Sequence, residues 1–250
     1  MKNSIIRKAK VSYLGNQYLL GVSFDEKTRR SIADEVEKIL NPKDSDHYKI
    51  LIVGSPNAWE IRDIDSSITN KTKIVCVDLG DMTNFVETAR NFLDSAFYSR
   101  NFFSFNHEDK FDLVVNRWHF HHLTTQQKRD FYKKCRSHLK ENGSVITVDY
   151  FFNNFDSIEE KIKVGLDHMR YRRTKSNPPF DDPSDEKLII QILNCDVDDH
   201  RGGKMDSVKN VLQYAAESNY TSESKFTYDS LDYDRPDLWG QYMITSRKND

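Results

Sequence analysis

The sequence predicts an α/β fold, a parallel sheet with helices on both faces and an antiparallel pair at its end. Three observations carry that expectation. From Lys49 onward, short apolar runs alternate with stretches of helical period; these runs stop at polar or turn residues such as Gly54 and Asp78; and Ser222 to Tyr228 and Trp239 to Thr245 alternate as terminal strands do.

Taken in order, the first 22 residues alternate around Leu14-Gly15-Asn16-Gln17, as in a short hairpin. A helix follows, with Ile32, Val36, Ile39 and Leu40 on one side, and Asn41-Pro42 ends it. Ile50 to Val53 is an apolar run stopped by Gly54, the pattern of a buried parallel strand. Asn57 to Ile68 predicts a helix with Ile61, Ile64 and Ile68 inward, and Lys73 to Val77 a second strand ending at Asp78. Met82 to Ala96 reads as a helix carrying Phe85, Ala89, Phe92 and Ala96, and Phe102 to Phe105 as a third strand. Phe111 to Val115 is the clearest strand. Beyond His119–Leu123, Thr124-Thr125-Gln126-Gln127 has capping-box spacing and opens a helix with Phe131, Cys135 and Leu139 inward. Asn142-Gly143 predicts a left-handed stop before the strand Ser144 to Val148. Residues 150–200 break the alternation, with Ile158, Ile162, Leu166 and Met169 as a helical stripe and Asn177-Pro178-Pro179 as a loop. A last helix runs from about Met205 to Ser218, with Val208, Leu212 and Ala215 inward.

Bulk properties narrow the function. In 250 residues only 37% are hydrophobic, yet 3 Trp, 12 Tyr and 15 Phe supply bulky core material. A net charge of −2 and a pI of about 6.5 argue against a general nucleic-acid binder. Cys76, Cys135 and Cys195 are widely spaced, which fits a reducing, cytoplasmic setting better than a disulfide framework or zinc site. No apolar run approaches the roughly 20 residues that span a bilayer.

In open α/β sheets ligands bind outside the carboxyl ends of the strands, so function is expected just after Val53, Val77, Phe105, Val115 and Val148. Asp78, at such an end, suits the two hydroxyls of a ribose; an N-cap or loop aspartate is the plainer reading. His119, His121 and His122 are three histidines in four residues. Imidazoles are common metal ligands, but carboxylate or cysteine partners at a recognisable spacing are lacking. The other readings are packing against the next helix, or one histidine facing a pocket as general base or orienting group.

The order Phe111-Asp112, His121-His122-Leu123-Thr124, a helix, Leu139-Lys140-Glu141-Asn142-Gly143 and a strand closing on Asp149 resembles the class I S-adenosylmethionine-dependent methyltransferases that act on small molecules. The likeness covers residues 48–150 and more weakly 200–247, where Ala216 to Tyr220 resembles an Ala-Gly-Phe before the last two strands; Asn219 there can adopt the left-handed geometry of the glycine it replaces. It implies a Rossmann-like seven-stranded sheet over residues 49–250, with an N-terminal cap segment (1–48) and a helical lid insertion at about 150–204. It also implies S-adenosyl-L-methionine as cofactor. By the same resemblance Asp78 and Leu79 would hold the ribose side, Asn106 and His107 the adenine edge, and Gly54, Ser55, Asn57, Asn116 and Arg117 the rest of the cofactor. His119, His121 or His122 would approach the acceptor.

The first loop departs from the family. Where an acid and Gly-x-Gly-x-Gly are usual, the chain reads Ile52-Val53-Gly54-Ser55-Pro56-Asn57, leaving one glycine, no acid in the strand and a proline without an N–H. Asp63 and Asp65 are the candidate substitutes. The insertion carries Lys161, Lys163, Arg170, Arg172, Arg173 and Lys175, either a solvated face or a lid for an anionic acceptor, while Tyr171, Phe151, Phe152, Phe155 and Phe180 are either core or an aromatic wall. The expected function is methyl transfer to a small-molecule acceptor. The alternatives are a catalytically inactive binding or regulatory subunit of the same fold, or an enzyme using the fold on another reaction, a protein or an RNA.

Overall fold

A computed structural model describes residues 21–40, 47–55, 58–80, 85–117, 119–175, 206–228 and 239–249. The hairpin expected near Leu14, the stop at Asn41-Pro42, Asn57 and the loop Asn177-Pro178-Pro179 lie outside them, as do Phe180 and Cys195. Seven strands form one sheet: β1 (Tyr48–Val53), β2 (Thr72–Asp78), β3 (Asp94–Ser99), β4 (Phe111–Arg117), β5 (Leu139–Phe152), β6 (Tyr220–Tyr228) and β7 (Trp239–Lys248). Their spatial order is β3-β2-β1-β4-β5-β7-β6, parallel from β3 to β5, with β7 antiparallel to both its neighbours.

Because strand side chains alternate, each apolar strand feeds two cores. Leu51, Val53, Val75, Val77, Val114 and Val145 face the layer of α4 (Thr125–His138) and α6 (Val208–Glu217), which contributes Phe131, Tyr132, Cys135, Val211 and Ala215. Ile50, Ile52, Ile74, Cys76, Leu113, Val115 and Ile146 face the other layer. There α1 (Gly21–Leu40) supplies Ile32, Ala33, Val36 and Leu40, so this helix packs directly on the sheet. The short helices α2 (Ser66–Thr69) and α3 (Phe85–Ala89) complete that layer, and α5 (Ile158–Lys175) follows β5.

Several elements differ from expectation, each for a local reason. The stretch 57–68 is not one helix: Ala58 takes a left-handed conformation (φ 52°), a single 3-10 turn follows at Trp59–Ile61, and the Asp65 carboxylate accepts the Ser67 N–H at 2.7 Å to start α2 afresh. Ile61, Ile64 and Ile68 are buried nonetheless. The third strand is Asp94–Ser99 rather than Phe102–Phe105. Consequently Ala96 belongs to a strand, and Phe102–Ser104 is a 3-10 turn that drives Phe102 into the core. Asn142-Gly143 does not stop the chain either. It lies within β5, and Gly143 is needed because a Cβ there would come within 2.8 Å of the Leu139 side chain. Asn219 does adopt the left-handed geometry expected of it (φ 60°), and the Thr124–Gln127 capping box forms in both directions.

Candidate active site

The carboxyl ends of β1, β2, β4 and β5 lie side by side, and the sequence places polar side chains there. Asn116, fully buried, stands opposite Val53 in the β1–β4 register. Its amide nitrogen donates to the Val53 carbonyl at 3.0 Å and contacts His119 Nδ1 at 3.2 Å. The carbonyl can only accept, so the nitrogen assignment fixes His119 Nδ1 as acceptor and its ring as neutral. Burial and the neighbouring His122 agree, lowering the His119 pKa to about 4 against a smaller upward pull from Asp149. Asn116 Oδ1 is buried and has no hydrogen-bond partner among the described residues.

Gly54 ends β1 with φ +73°, a conformation glycine adopts without strain. A Cβ at this position would meet the His119 Cβ and Cγ at 2.3 Å, so the space opened by the missing side chain holds the imidazole. Ser55 is buried and spends its hydroxyl on Glu60 Oε2 at 2.7 Å, while its carbonyl accepts the Cys76 thiol at 3.2 Å. Glu60 is thus the acid beneath the first loop, a residue the sequence reading passed over. Its signal was a lone carboxylate inside Ala58-Trp59-Glu60-Ile61. The two substitutes considered lie elsewhere: Asp63 pairs with Arg29 at 3.1 Å, and Asp65 caps α2. Trp59 stays at the surface, 37% exposed.

Beside β1, the neighbouring β2 ends on Asp78. Burial raises its pKa, partly offset by the N–H groups of Gly80 and Leu79. The next residue, Leu79, is 75% exposed, an apolar side chain left open beside a half-desolvated carboxylate.

The histidine segment is held by its apolar members. Phe120 is fully buried among Phe131, Tyr132 and Phe151, Leu123 is buried beside it, and the 3-10 turn Phe120–His122 leads into the α4 cap. His121 turns toward Asp149, which is fully buried just past the point where β4 leaves β5. Asp149 accepts His121 Nδ1 at 2.8 and 3.0 Å, the His121 N–H at 3.0 Å and the Tyr150 N–H at 2.8 Å. Burial would raise the carboxyl, but the His121 charge and these donors outweigh it and hold Asp149 below the ordinary range. Conversely, burial would lower His121, and the Asp149 charge and hydrogen bond outweigh it, leaving the ring above its ordinary value. The His122 ring lies beside it, tilted by 46° with ring centroids 4.0 Å apart.

Not every expected residue is here. Because the third strand ends at Ser99, Asn106 and His107 lie on the approach to the amino end of β4. Asn106 accepts Lys134 Nζ at 2.9 Å near the end of α4, and His107 packs against Phe105 and Phe111. Ser99 and Arg100 occupy the strand end instead, Arg100 N–H donating to the Asp78 carbonyl at 2.9 Å. Arg117 is buried at the end of β4 beside Val148. Among the described residues no group of three His, Cys, Asp or Glu side chains converges as a metal site. A shallow hollow of about 320 Å³ bounded by Ile64, Ser66, Asn70 and Arg90 lies at the amino ends of β2 and β3, away from these groups.

No family model matches the sequence, and no curated protein does. Solved structures do match. A 1,6-didemethyltoxoflavin N1-methyltransferase from Burkholderia thailandensis, with 1,6-didemethyltoxoflavin and S-adenosylhomocysteine bound, aligns over 100% of this chain and 89% of its own at TM-score 0.57 and 13% identity. A mycolic acid cyclopropane synthase complexed with S-adenosylhomocysteine aligns over 86% and 83%, with TM-score 0.57 and 13% identity. The N-methyltransferase NodS from Bradyrhizobium japonicum aligns over 87% and 87%, with TM-score 0.51 and 10% identity. The fold is that of a class I methyltransferase. Gly54, Asp78, Leu79, Asn116 and the His119–His122 turn all lie at or just past the carboxyl ends of the parallel strands.

Proposed function

We propose that the chain binds S-adenosyl-L-methionine at the carboxyl ends of β1, β2 and β4 and transfers its methyl group to a small molecule. One observation carries the reading: Leu79 stands 75% exposed directly after the half-buried Asp78 carboxylate, at the carboxyl end of β2. A nucleoside would satisfy both, its ribose hydroxyls donating to Asp78 and its base covering Leu79. On the methionine side, the lone Oδ1 of Asn116 fits an ammonium, since a buried acceptor without a donor costs about 1–3 kcal/mol. The residues present therefore fit the cofactor at both ends, although Ser55 is already committed to Glu60 and Asn57 is not described.

When bound, the cofactor supplies an activated methyl on a sulfonium. The chain's own residues bind it, align the acceptor for in-line displacement and exclude water. A second reading, a binding or regulatory subunit that performs no chemistry, is favoured by one fact: the His119 ring occupies the space above Gly54. Calorimetric titration with S-adenosylmethionine tests the two. A dissociation constant on the order of micromolar supports the enzyme, and the absence of heat supports the subunit.

A further inference from the structure

We propose that β3 is the docking surface for a second copy of this chain, the paired β3 strands running antiparallel about a two-fold axis at Phe97. The sheet ends on β3 at one side and β6 at the other, and these edges are guarded differently. β6 carries Glu223 and Lys225 in mid-strand, its ladder shifts between Phe226 and Tyr228, and Lys38 of α1 reaches Glu223 at 3.6 Å. Charges and irregularities of this kind keep an edge from pairing with another chain. The middle of β3 has neither: Ala96, Phe97 and Tyr98 are uncharged, half-buried and in regular register with β2. Apolar side chains stay open beside it. Leu93, just before the strand, is 55% exposed, and Val86 is 41% exposed on α3, which packs Phe85 against Phe97.

The ladder shows which backbone groups of β3 are available. Arg100 N–H donates to the Asp78 carbonyl at 2.9 Å, and Asp78 pairs with Ser99 in the parallel register. Alternate residues of a strand turn their N–H and C=O the same way, so Ala96 and Tyr98 also face β2, and Ser95, Phe97 and Ser99 face outward. Ser95 agrees, since its N–H goes to the Asp94 carboxylate at 2.8 Å rather than to β2. Among the described residues no strand lies beyond β3 to take the outward groups of Phe97 and Ser99.

Charge selects the second copy and its register. With Phe97 on the axis, its N–H and C=O bond those of the partner's Phe97, and Ser95 bonds the partner's Ser99. The same register sets Asp94 directly across from the partner's Arg100, on the face that carries Ala96 and Tyr98, where opposite charges attract. Both are open to such a contact. The Asp94 side chain is 58% exposed with Lys73 at 3.0 Å, while Arg100 lies over the Tyr98 ring at 5.9 Å and forms no ion pair among the described residues. Moving the axis to Ala96 or Tyr98 would take the two charges off one another. Pairing about Phe97 joins the two sheets into one and fixes the end of β3 beside Asp78.

Sedimentation equilibrium of the full chain tests the pairing, read together with amide hydrogen exchange at several protein concentrations. Wild type should reach twice the 29.4 kDa of one copy within a range of about 1–100 µM. The Phe97 and Ser99 amides should exchange more slowly as concentration rises, while Ala96 and Tyr98, already bonded to β2, should not change. Asp94→Lys and Arg100→Glu each set like charges across the axis twice, and each should raise the dimer dissociation constant by about 10-fold or more. Combining them in one chain restores opposite charges and should return most of the affinity, which a variant that had merely misfolded would not do. A chain that stays at 29.4 kDa throughout would overturn the proposal. So would a dimer indifferent to the single reversals, a combined variant as weak as either one, or Phe97 and Ser99 exchange that ignores concentration.

Discussion

Asp149 and Asp206 are two enclosed carboxylates near the same end of β5, and their partners separate them. Asp206 accepts Lys128 Nζ at 3.3 Å, Tyr214 Oη at 3.0 Å, Asn210 Nδ2 at 2.7 Å and the Ser207 N–H at 2.9 Å. Its ion-pair partner Lys128 is only 2% exposed and lies over the Phe120 ring. Asp149 is equally enclosed, but its partner His121 reaches solvent and has a second nitrogen to use. The first arrangement neutralises a charge inside the protein and fastens the chain entering α6 to the core. The second passes the influence of a buried charge to a ring that can exchange a proton. A shifted pKa alone does not mark a site; the exposure of the partner decides.

The largest test of this contrast is Asp206→Ala. It removes the buried lysine's carboxylate and should cost about 3–5 kcal/mol in urea unfolding, with Lys128→Met in the same chain recovering most of the loss. A loss under about 1 kcal/mol would break the comparison. Gly54→Ala should cost about 1–3 kcal/mol, because the new Cβ meets His119 at 2.3 Å on a left-handed backbone. Adding His119→Ala should reduce that to the backbone strain alone, about 1 kcal/mol.

Titration followed by NMR sharpens the contrast between neighbouring histidines. His119 should titrate near 4, with its folded pKa below the unfolded value of about 6.5. Its neutral ring therefore stabilises the fold above pH 6.5, and that contribution is lost as pH falls toward 4. His121 runs the opposite way: its contribution is full below pH 6.5 and lost as pH rises through its raised folded value. Asp149→Asn should send the His121 value down, since burial then acts without its counter-charge. Equal titration of the two rings would show that neither environment is as described.

The same contrast explains what could be read in advance. Ile50–Val53, Lys73–Val77 and Phe111–Val115 were legible because buried parallel strands are continuous apolar runs. Strand β3 was not, since Asp-Ser-Ala-Phe-Tyr-Ser is an edge strand with mostly exposed or half-buried positions. The more apolar Phe102–Phe105 drew the assignment, and the misplaced strand carried Asn106 and His107 to the wrong end of the sheet. The histidine cluster was visible as composition. Its division into a neutral ring on Asn116 and an anchored ring on Asp149 depends on partners up to 28 residues away, which only the β4–β5 register brings together. Asp206 was hidden for the same reason, since its partner Lys128 lies 78 residues away.

Nucleoside binding at Asp78 and Leu79 is tested most directly by S-adenosylmethionine affinity in wild type and Asp78→Ala. The carboxylate lies at the end of β2 outside both cores, so thermal stability should hold within about 0.5 kcal/mol while affinity falls by about 10-fold or more, the loss of a charge-assisted hydrogen bond. Equal affinity in the two proteins would contradict it.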